Sequence, residues 1–386
     1  MKKPIYLDYA AATPMDSLAV KAMQPYLSAD FFNPSAVYQP ARLVRAQLEA
    51  ARASVARVLG AKDQEILFVA GGTEANNLAI HGVMKRFPDG HLVVSAIEHE
   101  SVLQPATLYN HTIAPVNAKG MLDLAKFEQA ITDQTVLVSI MYANNEIGTV
   151  QPIKEVAELI KAIRAKRHKQ ANPRPLYLHT DACQAANYLD LQVSRLGVDL
   201  MTLNGGKIYA QKQSGCLYVQ ANVGLESLMQ GGGQERSLRS GTENVGSSIA
   251  FATMLQKNQT NRKAEIFRLQ TLRDKIHAKL SQKLPNISLN GDSKKRLPNN
   301  LNFLVPGADG ERLLMELDVA GVMVATGSAC TASNDEPSHV LRAIGLTDKE
   351  ASASLRISLG QPTTEAEVDQ AVHVLVDTIK KHIGYN

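Results

Sequence analysis

Lys207 closes the tetrapeptide Asn204-Gly205-Gly206-Lys207, directly after the strand-like run Val198-Asp199-Leu200-Met201-Thr202-Leu203. A lysine kept out of bulk water in such a turn can lose its proton and attack a carbonyl as a free amine. Glycine beside it lets a flat ligand approach the backbone closely. The chemistry on offer is a Schiff base with an aldehyde. Taken alone, the turn also reads as a solvated surface lysine, the usual state of that residue.

Other apolar runs end in residues that bear on this choice. Gly71-Gly72-Thr73 opens a helix, where free amides, the helix dipole and the Thr73 hydroxyl favour a phosphate. His99, after His91 to Ser95, can stack on a ring or shuttle a proton. Asn145, after Val136 to Met141, offers an amide to ring substituents. Asp181 ends the run from Pro175 to His179, and a carboxylate there can pair with a protonated pyridine nitrogen. Gln184 follows one helical turn later and can donate to a ring oxygen. Each residue also has an ordinary structural reading as a cap, a turn or a packed histidine. Together, each after its own strand, they supply a phosphate cup, a ring stacker, a ring carboxylate and an amine. One ligand uses all four: pyridoxal 5'-phosphate.

A second signal lies in Thr326-Gly327-Ser328-Ala329-Cys330-Thr331-Ala332-Ser333. Small residues around a central cysteine do not describe a core thiol, and a thiol that reaches the cofactor would be a nucleophile. Arg356, in a strand-like run, suits a carboxylate clamp on an amino-acid substrate, with Asn33 of Asn33-Pro34-Ser35 assisting. Cys183 is expected to pack behind the ring site and Cys216 to sit in a strand. The three cysteines make no metal-binding spacing, so no metal is expected.

These residues need a scaffold that gathers strand ends. Uniformly apolar strands separated by helices predict a mostly parallel sheet covered on both faces, with ligands beyond its carboxyl edge. The spacing predicts a helix over about Tyr38 to Leu59, stopped by Gly60, and another over Ile153 to Lys166. A long amphipathic helix, about Arg262 to Leu284, leads into a smaller α+β region with strands near 301–305, 322–324 and 355–358. Its last helix begins at a capping box, Thr364 with Glu367. At 386 residues the chain exceeds one core. We expect a large domain over 16–258 and a small domain formed by 1–15 and 259–386, carrying the Cys330 loop.

A net charge of +4 is mild for this length and does not suggest nucleic acid as a partner. The cations from Lys161 to Arg174 read chiefly as a solvated helix end, or as a docking patch for an acidic partner or RNA. No apolar run is long enough for a membrane span, no export signal is read, and sparse free thiols point to a reducing, cytoplasmic setting.

Nearly the whole chain, from Ile5-Tyr6-Leu7-Asp8 to Leu359-Gly360, resembles the cysteine desulfurases of the NifS/IscS kind, within the class V aminotransferases. The segments that carry the likeness are Gly72-Thr73-Glu74-Ala75-Asn76-Asn77, Asn144-Asn145-Glu146-Ile147-Gly148, Asp181-Ala182-Cys183-Gln184, Arg239-Ser240-Gly241-Thr242 and Gly327-Ser328-Ala329-Cys330-Thr331. The resemblance implies the α/β fold of type I pyridoxal-phosphate transferases. It implies Lys207 as the Schiff-base lysine, Asp181 on the pyridine nitrogen, Gln184 and Asn145 on the ring oxygen and His99 stacked on the ring. Gly72 and Thr73 would hold the phosphate, with Thr242 reaching the cofactor of the neighbouring subunit in a homodimer. Arg356 and Asn33 would bind the carboxylate of L-cysteine. Cys330 would take the sulfur as a persulfide and pass it to an acceptor, an iron–sulfur scaffold or a tRNA-thiolation enzyme, leaving alanine. A selenocysteine lyase, an aminotransferase or a weakly active sulfur-transfer partner remain alternatives within the same reading. The lysine turn departs from the usual Ser-Gly-His-Lys, so Asn204 and Gly206 stand where two phosphate-binding side chains are common. Tyr38 and Gln234 also stand where histidine is common.

Overall fold

The computed structural model describes residues 4–327 and 337–384. Cys330 and its immediate neighbours therefore lie outside the described residues. The strands are β1 (Ile5–Tyr6), β2 (Ile66–Val69), β3 (His91–Ser95), β4 (His111–Ala114), β5 (Thr135–Ser139), β6 (Tyr177–Asp181), β7 (Leu200–Asn204), β8 (Gly215–Val219), β9 (Ser288–Leu289), β10 (Asn300–Leu304), β11 (Val322–Met323) and β12 (Ser354–Ser358).

The largest sheet runs β2-β8-β7-β6-β5-β3-β4. Only β8 is antiparallel to its neighbours, so the other six strands point their carboxyl ends to one edge. Every residue of β3 and β5 is buried, which is why those runs read as continuously apolar rather than alternating. Val44, Leu48 and Phe251, from the helices Gln39–Leu59 and Val245–Lys283, cluster with Val138, Leu178 and Met201 on one face. Leu78 and Val83, from the helix Gly72–Arg86, pack with Leu92, Leu137 and Leu217 on the other. The fold class expected from the sequence, an α/β protein on a mostly parallel sheet, is what the chain adopts.

Local signals explain most helix ends. Gln39–Leu59 carries proline in its first turn and ends at Gly60, whose φ of 65° lies in the left-handed region. Thr364 and Glu367 exchange the two hydrogen bonds of a capping box at the head of Glu365–His382. One helix differs from expectation. The helix placed near Arg262 starts at Val245, where the Asn244 side chain accepts from Ser247 N. Its first two turns are almost wholly buried, so they lack the one-sided periodicity that marks a surface helix.

The rest of that helix supplies Leu269, Leu272, Ile276 and Leu280 to a second core with Leu301, Phe303, Leu355 and Ile357. Here β12, β10 and β9 form an antiparallel sheet, and β1 pairs with β11. Asp8 bridges to Ser358 at the end of β12. The basic run at the end of Ile153–Lys169 is partly internal. Arg167 is buried and donates to the carbonyls of Pro175 and Thr132, and Arg164 pairs with Asp199. No described helix is long and apolar enough to cross a membrane.

Candidate active site

The strand ends converge. A cavity opens at the carboxyl edge of the large sheet. Gly72, Thr73, His99, Asn145, Asp181, Gln184, Asn204, Lys207 and Arg356 all line it. An adjoining hollow shares Gly72, Thr73, Asn204 and Lys207 and adds Gly206 and Lys212.

Asp181 is the last residue of β6. Its Oδ2 accepts from Asn76 Nδ2 at 2.7 Å and its Oδ1 from Cys183 N at 2.9 Å. His99 caps the helix Glu100–Ala106, and its Nδ1 accepts from Ser101 N at 3.1 Å. With Nδ1 an acceptor, the neutral ring carries its proton on Nε2. Ser101 Oγ contacts His99 Nδ1 at 2.8 Å and accepts from Asn76 Nδ2 at 2.9 Å. One polar network therefore links the histidine and the carboxylate.

The lysine turn is built by short-range bonds. Asn204 Oδ1 accepts from Gly206 N at 3.0 Å, and Gly205 N donates to Ser214 O at 2.7 Å. Lys207 Nζ then reaches the carbonyls of Ala10, at 3.0 Å, and Ala11. Gln184 Nε2 donates to the same Ala10 carbonyl at 2.9 Å. Gly206 has no side chain to offer, and its carbonyl accepts from Thr13 N and Oγ1. At the head of Gly72–Arg86, Gly71 has φ of 141°, a conformation that excludes side chains. A Cβ on Gly72 would come within 2.8 Å of Cys183 Sγ. The helix thus presents bare amides toward Asn204 and Lys207.

Arg356 rises from β12, at 1% side-chain exposure, and meets Asp8 Oδ1 through Nη2 at 2.7 Å. Its Nη1 makes a longer bond, 3.3 Å, to the Asn145 carbonyl, and its Nε has no partner among the described residues. Two expected residues are not brought to the cavity by this chain. Asn33 is exposed, with Oδ1 accepting from Ser35 N, and Thr242 is exposed beyond the Arg239-Ser240-Gly241 turn. Cys330 falls outside the described residues.

Cys183 is a correction: it lines the cavity instead of packing behind it. Burial and the Asp181 carboxylate push its pKa well up, so it stays a thiol. Cys216 is fully buried in β8, as its strand position predicts. The sequence reading gave no individual role to Asn76, Ser101, Asp8 or Glu98. Asn76 was visible in principle, one helical turn past Gly72 on the same face. Glu98 is fully buried beside His99, with Oε1 accepting from Met141 N at 2.6 Å and Oε2 without a partner among the described residues. Burial pushes its pKa well above the ordinary carboxylate value.

The class-V aminotransferase profile matches residues 5–371. The cysteine desulfurase IscS of Dictyoglomus turgidum is 38% identical over 388 residues, covering 99% of this chain and 96% of that protein. Among solved structures, a NifS-like protein superposes with a TM-score of 0.88 at 28% identity, over 97% of this chain and 98% of its own. SspA in complex with cysteine superposes at 0.77 with 32% identity, over 92% and 98%.

Proposed function

This chain belongs to the class-V aminotransferase family, and from that premise we infer that it is a cysteine desulfurase converting L-cysteine to L-alanine. The observation that carries the reading is the meeting of Lys207, Asp181, His99 and Arg356 on one cavity.

Pyridoxal 5'-phosphate fits the donor set. A carboxylate held by two N–H groups, a lysine amine, and glycine amides no side chain could cover match its ring nitrogen, aldehyde and phosphate. When bound, the cofactor supplies an electron sink beside the substrate's α-carbon. Lys207 gives the amine that holds the aldehyde and then moves the α-proton. Asp181 would hold the ring nitrogen, His99 would cover the ring, and Gln184 and Asn145 would donate to its oxygen. Gly72, Thr73 and Asn204 would hold the phosphate, with Gly206 beside them and Thr242 supplied by the partner subunit of a homodimer. Arg356 binds the substrate carboxylate, with Asn33 assisting.

The sulfur step falls to Cys330. Its thiolate attacks the substrate sulfur and the carbon–sulfur bond breaks. The bond's electron pair remains on the substrate side, where protonation completes alanine, and Cys330 keeps the sulfur as a persulfide. The persulfide passes to an acceptor protein in the cytoplasm, an iron–sulfur scaffold or a tRNA-thiolation enzyme. The domains divide as 16–258 and 1–15 with 259–386, so the Cys330 loop belongs to the small domain.

The test is Cys330→Ala. The variant is expected to keep the visible absorbance of bound cofactor and lose sulfide release from L-cysteine under reductant. Undiminished alanine formation would sink the persulfide step.

A further inference from the structure

The segment that begins at Asp8 lies against both cations of the cavity. Asp8 contacts Arg356, and two residues on, the carbonyls of Ala10 and Ala11 accept from Lys207 Nζ. Its place is fixed by backbone bonds: Ser358 N donates to Leu7 O at 2.7 Å, and the Asp8 carbonyl accepts from Tyr6 hydroxyl at 2.8 Å and from Ala11 N at 3.0 Å. Asp8 is thus held where Arg356 emerges from β12.

The pair is incomplete. Guanidinium offers a planar fork of five N–H groups that suits a two-point carboxylate contact. Asp8 supplies one contact through Oδ1. Nε has no partner among the described residues, on a side chain at 1% exposure that lines the cavity. A buried N–H without an acceptor is costly, so the fork is left incompletely satisfied beside the cavity that Arg356 lines. Two anions on one guanidinium oppose each other.

Building on the assignment of Arg356 to the substrate carboxylate, we propose that Asp8 is an internal counter-ion with which that carboxylate competes, so that Asp8 sets substrate and product affinity. It keeps the buried guanidinium neutralised and aimed when the cavity is empty. Alanine carries the same carboxylate as cysteine, so competition at Arg356 also speeds product release. Asp8 is a positioning and affinity-setting residue and takes no part in bond making.

The experiment uses the holoenzyme with Asp8→Asn, which keeps an oxygen for Arg356 and removes the charge. Asp8→Ser serves as a second variant should the first fold poorly. The KM for L-cysteine and the dissociation constant of L-alanine are expected to fall about threefold or more. L-cysteine methyl ester, which lacks the charge, is expected to show no such change. Unchanged or raised constants for the free acids, or an equal shift for the ester, overturn the role of Asp8. Arg356→Gln separates the two layers. If that variant discriminates acid from ester as the wild type does, the assignment of Arg356 falls and takes the Asp8 proposal with it. If discrimination is lost while Asp8→Asn changes nothing, only the Asp8 proposal falls.

Discussion

Two buried arginines are paired with carboxylates in opposite styles. Arg52, beneath the large sheet, meets both oxygens of Glu235 at 2.7 Å, the Ile66 carbonyl at 2.9 Å and Glu49 at 3.1 Å. Its guanidinium lies 4.9 Å from the Phe68 ring centre, and Glu235 also accepts from Phe68 N. Every nitrogen of that fork has a partner. Arg356 lines a cavity, is buried more deeply, and has one short contact, one long one and an Nε without a partner among the described residues. The contrast is between a fully coordinated arginine and a partly coordinated one that lines the cavity.

The largest expected effect breaks the complete pair. Arg52→Met leaves the Glu235 carboxylate buried without its counter-ion and should lower unfolding free energy by about 3–5 kcal/mol. Urea denaturation checks this, and a loss under about 1 kcal/mol would show that the pair is not structural. His179 extends the comparison to another fully satisfied group, with Ser139 Oγ at 2.8 Å on Nδ1 and Thr202 Oγ1 at 3.0 Å on Nε2. Burial lowers its pKa to about 4. The folded state keeps the ring neutral, while the unfolded chain takes up a proton below its ordinary value of about 6.5. Stability is therefore intact above that value and falls as pH drops toward 4, by up to about 3 kcal/mol. His179→Asn should flatten the dependence of unfolding free energy between pH 7 and 4.

The incomplete pair predicts a different outcome. Arg356→Gln should raise the KM for L-cysteine roughly ten- to hundredfold, the worth of a charge-assisted contact, with a smaller change in urea midpoint than Arg52→Met. The smallest effect concerns the phosphate side. A Cβ on Gly206 meets nothing closer than 3.5 Å, so a side chain fits there. Gly206→His should tighten pyridoxal phosphate about tenfold by equilibrium titration and leave pyridoxal, which has no phosphate, unchanged.

The part of the site made by strand ends was legible because a parallel sheet delivers its carboxyl ends to one edge. Gly72, His99, Asp181 and Lys207 each follow an apolar run, and that order alone assembled them. Asp8 and Arg356 were not legible as a pair. They are 348 residues apart, and no local pattern says which carboxylate a buried arginine will find. The start of the Val245–Lys283 helix was hidden for a related reason: burial on all sides erases the helical period. Cys183 looked like packing because a thiol beside a strand end carries no sign of which way it faces.

The most direct test of the whole account is alanine formed from L-cysteine by the purified protein loaded with pyridoxal phosphate, with Lys207→Ala alongside. The account predicts equimolar alanine and sulfide from the wild type under reductant and neither from the variant. Alanine from Lys207→Ala at the wild-type rate, or none from a fully loaded wild type, would contradict it.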